Sequence, residues 1–198
     1  MTPRPRKFRY RRRSPLFLRL WSFAKGELHD IDGFVNFARE ARKSEEERLE
    51  RLAAQTRRAD DDDWLADVSA QIDDFAALSA EFAIIGLWRC VELYRKRAIR
   101  AAKAVPGEAA AARVRKLSKL GIPTQRIRCA TTVNELRCLN DAIKHARSVD
   151  GELAKLPRWR GKRGRELGNL EGHYARLRSA AERYLSNLAY RLSRRTTG

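Results

Sequence analysis

The chain has few of the residues that break helices or build sheets. Of its 198 residues only 11 are Gly and 6 are Pro. Val and Ile are sparse beside Ala, Leu, Arg and Glu, a balance that favours helix throughout. No segment alternates apolar and polar residues with the strand period, and no internal repeat is visible. The three cysteines, Cys90, Cys129 and Cys138, form no CxxC pair and are odd in number. That argues against a disulfide framework and for a reducing cytoplasm. His29, His145 and His173 are far apart in sequence and lack a spaced partner, so neither a zinc site nor any other cofactor is expected. Apolar runs are short as well. The longest, around Phe75–Trp88, is interrupted by Glu81 and falls short of the ~20 residues that span a bilayer.

Acid is missing from the first 26 residues, which carry nine Lys and Arg. Residues 27–74 then hold fifteen acids against seven bases, and residues 75–198 hold twenty-seven bases against ten acids. The total, +18, points to an anionic partner, RNA first and DNA second. The acidic segment invites pairing with a basic surface, either inside a dimer or with the arm until nucleic acid competes for it. Residues 1–26 read as a basic arm with a short docking helix at Leu16–Phe23. Arg19 interrupts that apolar stretch, and Lys25-Gly26-Glu27 follows where a signal peptide would have small residues.

Residues 27–198 read as one all-α domain: a bundle of four main helices with short extra ones. Asp30 or Asp32 caps a helix running to about Arg58. Asp60–Asp63 open the next, because acids suit a helix N-terminus. Its seam of Trp64, Val68, Ile72, Phe75, Leu78, Phe82, Ile85 and Val91 continues to Val105, with a kink expected near Gly86. An Ala-rich helix covers about 108–120 and stops at Gly121. Thr132 and Glu135 fit a capping box opening a helix that ends near Asp150-Gly151. The last helix runs from about Glu166 to Arg194.

The third main helix concentrates polar chemistry. Residues four and eight apart share a helical face, so Arg137, Asp141 and His145 line up, with Asn140 and Lys144 on the adjoining stripe. One reading makes this a solvated face. The other makes it a site, with His145 as an acid or base near neutral pH.

The run Leu139-Asn-Asp-Ala-Ile-Lys-His145, after a long helix ending in Trp88-Arg-Cys-Val-Glu-Leu-Tyr-Arg-Lys96, resembles the HEPN superfamily of helical-bundle proteins over roughly residues 64–190. The resemblance implies a metal-independent ribonuclease of toxin–antitoxin or antiviral defence type, with its site built across a homodimer. The family carries an Arg, a polar residue and, some four to six residues after the Arg, a His. Counted back from His145 with four residues intervening, the Arg position is occupied by Asn140 and the polar one by Asp141, while Arg137 lies further upstream. Either Arg137 or Lys144 supplies the cation for the phosphorane charge, with Asn140 orienting the imidazole or a phosphate oxygen, or the domain binds nucleic acid without cutting it.

Two basic patches extend the nucleic-acid reading. The arm contributes Arg4, Arg6, Lys7, Arg9, Arg11, Arg12 and Arg13, with Phe8 and Tyr10 interspersed. Arg158, Trp159, Arg160, Lys162, Arg163 and Arg165 form a Gly-containing loop. There Trp159 either stacks on an unpaired base or tucks against the bundle. The functional expectations are a defence- or toxin-type ribonuclease, a non-catalytic RNA- or DNA-binding subunit of a ribonucleoprotein, or a helical adaptor that binds protein through its acidic helix.

Overall fold

The computed structural model describes residues 14–55, 60–103, 117 and 122–195. Among these, the architecture is all-α, with four helices and no strand: α1 (Pro15–Gln55), α2 (Asp60–Lys103), α3 (Ala130–His145) and α4 (Leu170–Arg195). The expected basic arm, its site residues Arg4 to Arg13 included, and nearly all of the expected 108–120 helix lie outside the described residues. No helix among the described residues is long and apolar enough to cross a membrane.

The first helix begins earlier than expected. Ser14 caps it, its Oγ accepting the Phe17 amide at 3.2 Å, and Pro15 takes the first helical position, where its missing N–H costs nothing. The docking helix and the helix expected from Asp30 or Asp32 are therefore one element. Its buried stripe runs without interruption through Phe17, Leu20, Ala24, Leu28, Val35 and Ala38. Gly26 and Gly33 sit inside it with open space where a Cβ would be. Each weakens the helix by about 1 kcal/mol relative to Ala, which the continuous stripe overrides. Asp32 is not a cap. It accepts the Tyr174 hydroxyl at 2.7 Å and a bidentate contact from Arg178, tying α1 to α4.

The second helix starts where the aspartate run placed it and continues as one α-helix past Gly86. A Cβ on Gly86 would lie 3.7 Å from Ile31, so the glycine sits at the packing contact between α1 and α2. The core draws on all four helices. Leu87, Val91, Tyr94, Leu136, Leu139, Leu177, Tyr184, Leu185 and Leu188 are fully buried.

The fourth helix starts later than expected, because Glu166 and Leu167 are engaged elsewhere: Glu166 bridges to Ser148, and the Leu167 amide donates to the Arg147 carbonyl. Asn169, at φ 50°, precedes α4, its side-chain oxygen accepting the Gly172 amide at 3.2 Å. A Cβ on Gly172 would sit 2.6 Å from that oxygen, so this cap requires glycine there.

Candidate nucleic-acid interface

The 132–145 region departs from its expected form at its start. The capping box is not made. Cys129 precedes α3 in the left-handed region at φ 62° with no side-chain cap, and Glu135 is drawn away from the helix terminus. Its carboxylate is buried and accepts the Trp159 indole N–H at 2.9 Å and both Nη groups of Arg176 at 2.9 and 2.6 Å. A buried carboxylate with these partners is a structural clamp joining α3, α4 and the loop between them.

The helix also ends sooner, at His145. The amides of Ala146 and Arg147 both donate to the Ala142 carbonyl, and Arg147 takes the left-handed conformation at φ 48° that glycine usually fills. Arg147 is anchored to α2 by an ion pair with Glu81 at 3.0 Å.

Of the five residues expected to form the catalytic face, four lie on one side and one does not. Arg137 Nη1 meets Asp141 Oδ2 at 3.1 Å, while its Nε donates to Asn134 at 3.3 Å. Lys144 and His145 are exposed. Asn140 is 1% exposed and points into the bundle, which corrects its placement beside the imidazole. Its Nδ2 donates to Asp141 at 3.0 Å and its Oδ1 has no partner among the described residues. The 100° step places position 140 between the core stripe and the polar stripe, and the packing of α3 claims it for the core.

Of the two places expected for Trp159, on a base or against the bundle, it takes the second. It is 3% exposed, its ring centroid lies 4.7 Å from that of His173, and its N–H is used by Glu135. It plugs the bundle and presents no face to a base. Burial and the neighbouring Arg176 hold the His173 imidazole below its ordinary pKa. Burial pushes the Cys90 thiol up to about 12 and raises that of Cys138, so neither thiol is poised as a nucleophile.

The rest of the basic loop is presented as the charge pattern suggested, but on a fixed backbone. Val149 N donates to Arg165 O at 2.8 Å, and Gly164 N to Val149 O at 2.9 Å. Gly161 and Gly164 supply the positive φ of 75° and 78° that the reversals need. Arg158, Arg160, Lys162, Arg163 and Arg165 are all exposed, and none pairs with a carboxylate among the described residues.

Beside this loop opens a cleft of about 990 Å³. It lies between the start of α3, the 124–125 turn, the 156–158 turn and the inner faces of α2 and α4, and four arginines line it: Arg95, Arg137, Arg158 and Arg176. Glu135 is its one lining carboxylate. From the sequence, Arg95 with Lys96, Arg97, Arg100 and Lys103 extends the basic area, part of it solvated helix, and Arg176 was not singled out. A usable signal for Arg95 was its place seven residues, about two helical turns, after Trp88 and so on the same face. Among the described residues, no cluster of His, Cys, Asp and Glu could hold a metal.

No family model, curated protein or solved structure matches this chain.

Proposed function

We propose that this chain is an RNA-binding helical protein of HEPN-like type whose principal grip is the 158–165 loop and the cleft beside it. The observation that carries the reading is the loop. Five exposed cations, with no partner carboxylate among the described residues, stand on a backbone hydrogen-bonded to the segment after α3, so little ordering entropy opposes their contact with phosphates. Burial of Trp159 removes the base-stacking contribution and leaves electrostatics, which favours binding with little sequence preference. The arm adds phosphate contacts of the same kind.

Salt titration tests this. Binding of a fluorescent single-stranded RNA should weaken steeply as salt rises, through counterion release. Replacing Arg158, Arg160, Lys162, Arg163 and Arg165 by Gln should flatten the log–log slope by roughly 3 units, at about 0.7 per phosphate contact. An unchanged slope would remove the loop from the interface.

A second reading, metal-independent cleavage of RNA, is favoured by the open imidazole of His145 beside Lys144. Within one chain, Arg137 lies roughly 12 Å along the helix axis from His145 and is occupied by Asp141. Lys144, exposed and without a partner acid among the described residues, is therefore the cation that the same chain offers beside His145. Incubating the protein with total RNA in EDTA, beside His145→Ala, separates the readings. Loss of cleavage in the variant with RNA affinity kept, and products ending in 2′,3′-cyclic phosphate, are the enzyme's signature. RNA that is bound tightly and left intact by the wild-type protein excludes it.

A further inference from the structure

The four arginines of the cleft are not equivalent. Arg176 is consumed by Glu135. Arg137 spends its donors on Asn134, Asp141 and Cys138. Arg158 is exposed at the rim without a partner acid among the described residues. Arg95 is half-buried, yet no carboxylate among the described residues neutralises it.

What holds Arg95 is aromatic. Its Nε donates to the Tyr184 hydroxyl at 3.0 Å. Its guanidinium carbon lies 5.0 Å from the Tyr184 ring centroid and 5.5 Å from that of Trp88. Trp88 and Tyr184 line the same cleft. These contacts hold the guanidinium in place and shield it in part from water while leaving its charge uncancelled. Both Nη groups remain without an acceptor among the described residues, a two-pronged donor that matches two oxygens of a phosphate. An arginine serving only solubility would extend into water.

The surroundings are donors as well. The side chains of Gln125, Thr131 and Thr132 line the cleft. The Ala130 amide bonds Ile127 and that of Val133 bonds Cys129, whereas those of Thr131 and Thr132 donate to no group among the described residues. They add partial positive charge at the same end of α3. At about 990 Å³ the cleft is at the upper end of the sizes that take small ligands, so a phosphate and its nucleoside both have room.

We propose that this cleft binds the phosphate monoester of a nucleotide, with Arg95 as its fixed two-pronged contact and Arg158 as the cation at its mouth. A free mononucleotide and the 5′-phosphorylated end of an RNA present the same group. The second source rests on the RNA-binding reading above, and the first does not.

The test measures affinity of the full chain for four probes: a 5′-phosphorylated hexanucleotide RNA, the same RNA with a 5′-hydroxyl, AMP and adenosine. Calorimetry reads binding, and the change in Trp88 emission, assigned with a Trp88→Phe control, reads occupancy of the cleft. The 5′-phosphate should tighten RNA binding by roughly ten-fold or more. Arg95→Gln should erase that difference, bringing the 5′-phosphorylated RNA down to the affinity of the 5′-hydroxyl RNA measured with the same variant, and Arg95→Lys should restore only part of it. A thermal melt confirms that both variants fold. Binding of AMP but not adenosine, with no affinity for either RNA, would support the cleft with a free nucleotide and end the RNA reading. Equal affinity for the two RNAs, with no discrimination of AMP from adenosine, would overturn the cleft as a phosphate site and leave the RNA reading intact.

Discussion

Glu135 is the residue on which the geometry of this protein turns. It holds the Trp159 indole and the Arg176 guanidinium together, so its loss strands two buried or half-buried donors. Glu135→Ala should lower stability by roughly 2–3 kcal/mol, since hydrogen bonds to charged groups are worth about that much, and the denaturant midpoint measures it. Trp159→Ala should cost roughly 3–5 kcal/mol through the cavity it leaves, with affinity per folded molecule unchanged. Loss of RNA affinity at full stability would instead restore Trp159 as a stacking residue. His173, against the Trp159 ring, gives a pH signature. Its folded pKa is below the ordinary 6.5, so between the two values the unfolded chain binds more protons than the folded one. Stability is therefore unaffected by this group above pH 6.5 and falls as pH drops through and below 6.5. Urea midpoints at pH 7.5 and 5.5 should show that loss in the wild-type protein and a smaller one in His173→Gln.

At the scale of elements, what was legible in the sequence was whatever depends on near neighbours. The aspartate run marked the start of α2 and the apolar seams marked all four helices, because capping and amphipathicity act within a few residues. What failed depended on distant partners. Thr132 and Glu135 have the spacing of a capping box, but Trp159 and Arg176 compete for Glu135 and win. Asn140 looked available on a polar stripe until the bundle packed around it. The start of α1 was legible in principle: Ser14 followed by Pro15 is a helix opening, hidden in a segment judged by its charge. Gly172 offers a check on the last helix. Gly172→Ala should displace the Asn169 side chain from its cap, a cost of about 1 kcal/mol that the better helix propensity of Ala offsets in similar measure, so the melting temperature should stay nearly unchanged. A rise in melting temperature matching the full Ala gain would show that the cap adds nothing.

Across the whole molecule, charge is sorted by partner. Part of the acidic segment is consumed internally, with Asp32 on Arg178 and Asp73 on Arg42, while the cations of the 158–165 loop meet no carboxylate among the described residues. A fold built only to stand alone would gain from pairing them, and a fold built to hold a polyanion keeps them free. The direct measurement is where RNA touches the protein. Single-stranded RNA crosslinked by ultraviolet light to the full chain, with the modified peptides identified by mass spectrometry, reports contact residue by residue. Crosslinks should fall in peptides spanning 156–167 and 124–137 and weaken in the five-fold loop variant. Crosslinks confined to residues 1–13, with the loop and cleft unmarked, would contradict this placement of the RNA.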